Sequence, residues 1–161
     1  AVHAVLQERP DIVISGINNG HNMGYDTIYS GTVAAAREAV YQGIKGIAVS
    51  AGGEEYTLVD QYLEKLLRDV IAREIAPHEI WNINFPDCGP EEYSGIRETI
   101  PAARPRYKDV YKMTFVSETE WEYIPEDAQF DHPGEQTDFY ATAHNYISVG
   151  KLECSVIRKL G

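Results

Sequence analysis

Apolar positions along the chain alternate between two rhythms. Ile12, Val13 and Ile14 form a short β-branched run, too short for a helix, closed by Ser15-Gly16; this predicts a buried strand. From Thr32 to about Gln42 the rhythm changes. Val33, Ala36, Ala39 and Val40 recur at helical spacing, with Gly43 as a C-terminal stop. Ile44 to Ser50 predicts a second buried strand. From Thr57, with Asp60 at the capping-box distance, Val59, Tyr62, Leu63, Leu66, Leu67, Val70 and Ile71 keep the i, i+3, i+4 rule until Pro77 ends the helix. Ile80 to Phe85 is a third strand, which puts Asn82 and Asn84 on one face. Strand, helix and strand in this order imply parallel neighbours joined by right-handed crossovers, an α/β fold.

Beyond Asp87 the rhythm breaks at Gly89, Pro90, Gly95, Pro101 and Pro105. Tyr111, Met113 and Phe115 then alternate with Lys112 and Thr114, and Trp121 and Tyr123 continue the pattern. An aromatic strand pair with no helix to cover it predicts a projecting arm, the kind of surface that pairs with another subunit. Thr137 to Thr142 opens a helix or a strand, and Asn145 to Val149 and Leu152 to Ile157 read as closing β segments. At the other end, Val2, Val5 and Leu6 share a helical face, so residues 1–9 read as the tail of a helix. A helix without a visible start suggests that the chain is entered within a domain. The organisation expected is one domain over 1–161, with an α/β core in 1–86 and a β-rich arm and oligomerisation region in 87–161.

Composition narrows the field. A net charge of −11 argues against binding of nucleic-acid polymers or anionic membranes. It leaves a small nucleotide substrate open, because a local metal and a helix start outweigh overall charge. No apolar run reaches the length of a membrane span, and the first ten residues lack the pattern of a signal peptide. Cys88 and Cys154 have no metal-ligand spacing; free thiols in a reducing cytoplasm are the preferred reading, with a bridge between them left open. The acidic residues Glu118, Glu120, Glu122, Glu126, Asp127 and Asp131 read as a solvated face.

The candidate chemistry lies between the first strand and the first helix. Gly20 and Gly24, interleaved with Asn18, Asn19, Asn22 and Asp26, make a polar loop. Ser30-Gly31-Thr32 then opens the helix. A helix start offers unpaired N–H groups and a positive dipole end, Ser30 and Thr32 add hydroxyls, and Gly31 allows close approach of a phosphate. From the tripeptide alone, plain capping is the better account of the hydroxyls. The amide oxygen of Asn18 can ligate a hard cation beside carboxylates, although a turn-forming role explains it as well. His21 lies in the same loop and reads as an exposed loop histidine. Asn84, near a strand's carboxyl end, reads as a buried, hydrogen-bonded amide.

The order of these residues is more specific than any one of them. Ser15-Gly16-Ile17-Asn18, then Gly20, Asn22, Gly24 and Asp26, then Tyr29-Ser30-Gly31-Thr32 with Ala34 and Ala35, resembles the SurE (survival protein E) family of metal-dependent nucleotidases and acid phosphatases. Gly46-Ile47-Ala48-Val49-Ser50, Asn82-Ile83-Asn84-Phe85-Pro86, and Thr137-Asp138 leading to Tyr146-Ile147-Ser148-Val149 also look like family segments. The resemblance implies a Rossmann-like three-layer α/β/α fold with a mostly parallel sheet and a projecting hairpin. It implies hydrolysis of nucleoside monophosphates to nucleoside and phosphate with Mg²⁺ or Mn²⁺, in a dimer or tetramer. It also implies Asn18 as a metal ligand, Ser30, Gly31 and Thr32 as the phosphate site, and Gly20, Asn22, Gly24 and Asp26 as the loop that shapes it. Family members begin with a further stretch carrying an Asp-Asp pair and a Ser that complete the metal site. That stretch is absent from this sequence, so part of the active site and the chain's N-terminal part are expected to be missing. Two other readings follow: a phosphate-binding or oligomerisation module without catalysis, and a fragment that does not fold alone.

Overall fold

The structure is a computed structural model that describes residues 6–53, 56–105, 107–127 and 134–154. Three strands, β1 (Ile12–Asn19), β2 (Lys45–Ala51) and β3 (Glu79–Phe85), run parallel in sequence order. Two helices, α1 (Gly31–Tyr41) and α2 (Thr57–Ala72), make the crossovers between them. Beyond these come β4 (Gly95–Thr99), β5 (Tyr107–Ser117), β6 (Glu120–Asp127), α3 (Asp138–Ala143) and β7 (Tyr146–Glu153). The main sheet has the order β1-β2-β3-β7-β4, with β7 antiparallel to β3 and β4 parallel to β7.

The two-residue period of the strands divides the core in two. Ile47, Val49, Ala51, Trp81, Ile83 and Phe85 meet Leu58, Val59, Leu66 and Val70 of α2 on one face. Ala48, Ile80 and Leu152 meet Val33, Ala36 and Val40 of α1 on the other. This is a three-layer α/β/α arrangement. The alanines on the inner side of α1 allow close approach: a Cβ at Gly46 would lie 2.3 Å from the carbonyl oxygen of Ala36. β5 and β6 pair only with each other and form a second, two-stranded sheet. Phe115 and Trp121 face across it with ring centroids 3.8 Å apart, yet both remain exposed. Among the described residues no helix is long and apolar enough to cross a membrane.

Several expectations need correction. β1 does not end at Ser15-Gly16; it continues through a register shift between Ser15 and Asn18 to Asn19. Gly16 permits this, with φ at +129° and no room for a Cβ, which would fall 2.3 Å from the carbonyl oxygen of Val49. Nor is β1 fully buried. It lies at an edge of the described sheet, and Ile14 and Ile17 are 48% and 39% exposed. The second helix starts at Thr57 as expected, with Tyr56 as its N-cap residue, and it ends at Ala72, ahead of Pro77. The segment after Asp87 contains a strand that the pattern did not predict, β4, and β7 runs from Tyr146 to Glu153 across the gap between the two expected closing β segments. Residues beyond 86 therefore supply two strands of the core sheet as well as the arm. Residues 6–9 form bends instead of the end of a helix, while Val2, Val5, Asp131 and residues 155–157 lie outside the described residues. Thr137 caps a helix, α3, through its hydroxyl. Cys88 and Cys154 are both buried, and no disulfide joins them.

Candidate functional site

The carboxyl ends of β1, β2 and β3 converge under the loop that leaves β1, the place where open α/β sheets bind ligands. The loop is held down by a buried amide network. The Asn22 backbone N–H donates to Asn84 Oδ1 at 2.8 Å, and its carbonyl accepts from Asn84 Nδ2 at 3.0 Å and Asn82 Nδ2 at 2.9 Å. The Asn22 side chain donates to Ser50 Oγ at 2.7 Å. Ser50, Asn82 and Asn84 are buried polar residues of the α1 face: Asn82 and Asn84 are two apart on β3, and Ser50 lies beside Asn84 on β2. They replace the aliphatic side chains of that face at the strand ends and satisfy a loop that would otherwise bury bare backbone. Asn22 thus anchors the loop, and Asn84 is the hydrogen-bonded core amide expected. His21 is not an exposed loop histidine: its Nε2 lies 2.8 Å from the carbonyl oxygen of Phe85, and a Cβ on Gly52 would strike its ring.

Around this anchor the remaining candidates take distinct places. Gly20 sits at φ +108°, its N–H donating to the carbonyl of Ala51 at 2.7 Å. Asn18 Nδ2 donates to the carbonyl of Gly20 at 2.8 Å, and this turns Asn18 Oδ1 toward the helix start, where Thr32 Oγ1 donates to it at 3.3 Å. Strand exit and helix mouth therefore meet at one point. Ser30 is the N-cap of α1, its Oγ accepting from the N–H of Val33 at 3.1 Å. The capping role and an anion-binding role are compatible, because the Ser30 hydroxyl hydrogen is not used in the cap. The N–H groups of Gly31 and Thr32 lie before the first helical acceptor and point out of the helix end. A Cβ on Gly31 would meet nothing within 4 Å, so no protein contact requires glycine here; the room lies on the open side of the helix mouth. Asp26 is in the first turn of a short 3-10 helix, Gly24–Ile28, where its backbone N–H donates to the carbonyl of Met23.

One residue of this region was assigned no role from the sequence. Asp138, at the start of α3 and 3% exposed, accepts from Gly24 N at 2.8 Å, Ala102 N at 2.9 Å and its neighbour Phe139 N at 2.9 Å. Burial raises its carboxyl above the ordinary range, and the three N–H donors oppose that rise. The sequence signals were its place in the family-like Thr137-Asp138 segment and its position after a helix-capping threonine.

A divalent cation needs several oxygens and normally carboxylates. Among the described residues no three His, Cys, Asp or Glu side chains cluster suitably, and Asn18 Oδ1 is the one neutral oxygen at the meeting point. These residues by themselves do not fit a complete metal site; they offer one ligand toward it.

An open, mostly parallel α/β/α sheet, with amides at a strand exit and hydroxyls at a helix mouth, defines a Rossmann-like α/β protein. The chain belongs to the SurE family: the family model for Survival protein SurE matches residues 1–109. The crystal structure of SurE protein from Aquifex aeolicus is similar, with a TM-score of 0.77 and 31% sequence identity, over 94% of this chain and 62% of that one. The chain thus spans less than two thirds of that relative's length.

Proposed function

We propose that the protein is a phosphomonoesterase that hydrolyses nucleoside monophosphates to nucleoside and phosphate and requires Mg²⁺ or Mn²⁺. The observation that supports this reading best is the 3.3 Å contact between Thr32 Oγ1 and Asn18 Oδ1, which brings a candidate metal ligand and the phosphate cradle to one point. In this proposal the Ser30 hydroxyl and the N–H groups of Gly31 and Thr32 hold the phosphoryl oxygens, and the Thr32 hydroxyl joins them by turning from Asn18 Oδ1 when substrate binds. They offset negative charge as the bond to the leaving oxygen stretches. The amide network of Asn22, Asn82 and Asn84 keeps the start of the loop, next to Asn18, in place before substrate arrives, so little reorganisation is needed there. Asn18 contributes one oxygen toward the cation, and the others come from outside the described residues.

The proposal extends to assembly. Tyr111, Phe115, Trp121 and Tyr123 are 45–62% exposed along the β5–β6 arm, and we assign that arm to contact with further copies of the chain in a cytoplasmic dimer or tetramer. The decisive experiment is phosphate release from a nucleoside monophosphate, with and without Mn²⁺. Metal-dependent release supports the enzyme. A second reading is a phosphate-binding module without turnover, which would use the helix mouth of Ser30, Gly31 and Thr32 alone. Calorimetric binding of inorganic phosphate that is indifferent to metal, with no release, would establish that reading instead.

A further inference from the structure

The loop from Gly20 to Tyr29 carries the chain from Asn18 to the helix mouth, and the amide network secures only its first part. Its second part is held from elsewhere. Gly24 lies against the segment at 101–104 and against α3: a Cβ there would fall 2.3 Å from the carbonyl oxygen of Arg104, 2.9 Å from that of Ala102 and 2.7 Å from the Phe139 ring. The Tyr25 N–H donates to the Arg104 carbonyl at 3.0 Å. Thr142 Oγ1 lies 3.2 Å from the sulfur of the buried Met23. At the centre is the Asp138 carboxylate, whose Oδ2 takes the Gly24 N–H while Oδ1 takes those of Ala102 and Phe139. The 3-10 helix that starts at Gly24 then leads directly through Tyr29 to Ser30, and Arg37 Nη1 reaches back to its Thr27 carbonyl at 3.4 Å.

We infer that Asp138 is a positioning residue of the candidate site: its buried carboxylate bolts the 24–29 segment to α3 and the 101–104 segment, and so fixes where the helix mouth stands relative to Asn18. A charged acceptor suits this role because three N–H donors from separate parts of the chain converge on two oxygens, and a carboxylate has lone pairs for all of them. The consequence for turnover rests on the phosphatase reading; the consequence for the loop does not.

The test uses Asp138→Asn in the whole protein that carries this chain. Asparagine keeps the size of the side chain and an oxygen for Ala102 and Phe139, but turns an NH₂ group toward the Gly24 N–H. It therefore breaks one of the three bonds and is expected to fold, whereas Asp138→Ala would strand all three donors. Amide hydrogen exchange at Gly24 and Tyr25 should accelerate by about tenfold or more, the effect of losing one charge-assisted bond, while Val49 and Ile83 in the central strands keep their rates. Phosphate release should lose about tenfold in kcat, with KM for the nucleoside monophosphate changed by less than about threefold, since misplaced donors act mainly on the transition state. Unchanged exchange at Gly24 would overturn the inference. So would acceleration spread evenly over the core, or faster local exchange with kcat intact. If the wild-type chain releases no phosphate, the phosphatase reading fails alone, and the exchange comparison still decides whether Asp138 holds the loop.

Discussion

Replacing Asn84 by alanine tests the claim that the amide network, and not the glycines alone, holds the loop over the strand ends. Asn84 is fully buried and makes two bonds to the Asn22 backbone, 2.8 Å to its N–H and 3.0 Å to its carbonyl. The two losses are unequal. The Asn22 carbonyl keeps a partner in Asn82 Nδ2 at 2.9 Å, whereas the Asn22 N–H is left buried with no acceptor. A stranded donor costs about 1–3 kcal/mol and the weakened carbonyl about 1 kcal/mol, so a destabilisation of about 2–4 kcal/mol is expected. In a domain of this size that corresponds to a fall in Tm of roughly 5–15 °C. Urea denaturation should report a lower midpoint with an unchanged slope. Asn84→Asp sharpens the test, because it retains the acceptor for the N–H but sets a second oxygen against the Asn22 carbonyl. Burial and that carbonyl should raise the new carboxyl's folded pKa. Its stabilising contribution is then present at low pH and lost as pH rises through the folded value, so Asn84→Asp should match or fall below Asn84→Ala near pH 7 and overtake it near pH 4. A loss below about 1 kcal/mol for Asn84→Ala, or an Asn84→Asp variant indifferent to pH, would refute the reasoning.

Three further outcomes follow from the same geometry. Ser30→Ala should cost about 1 kcal/mol through the lost cap on Val33, read by thermal melting, and should lower phosphate release beyond that if the hydroxyl also holds substrate. Gly24→Ala should destabilise by about 2 kcal/mol or more, measured by urea titration, since φ of +51° and a backbone oxygen 2.3 Å from the new Cβ act together. For Asp138, burial raises the folded carboxyl above its unfolded value. Ionisation at that raised value subtracts from stability as pH rises above about 4 while the N–H bonds to the carboxylate remain, so wild type should gain on Asp138→Asn as pH falls from about 7 toward 4 in paired urea titrations.

How legible the site was depends on how far apart in sequence its parts lie. The α1 face of Val33, Ala36, Ala39 and Val40, the stop at Gly43 and the third strand were readable because helix and strand periods and cap chemistry act over a few residues. Ser30, Gly31 and Thr32 were readable for the same reason. The contact of Thr32 with Asn18, only 14 positions away, was an inference from the order of motifs that a local pattern could suggest. Asp138 was not readable as a site residue, since its partner Gly24 is 114 positions distant and an acidic residue behind a threonine cap looks alike wherever it occurs. His21 was misread because nothing local reveals that the Phe85 carbonyl, 64 positions on, lies beside it.

Sequence by itself determined the alternation of strands and helices, the helix mouth with its hydroxyls and the aromatic arm, all products of side-chain periodicity and backbone preference. Only the tertiary structure decided that β1 runs on past Gly16 at a half-exposed edge, that β4 and β7 complete the core sheet, and that three asparagines and a buried aspartate pin the loop between them. Those features depend on which distant backbone N–H and C=O groups are left without partners after the sheet has assembled, and burial in a low-dielectric core then leaves few side chains able to satisfy them.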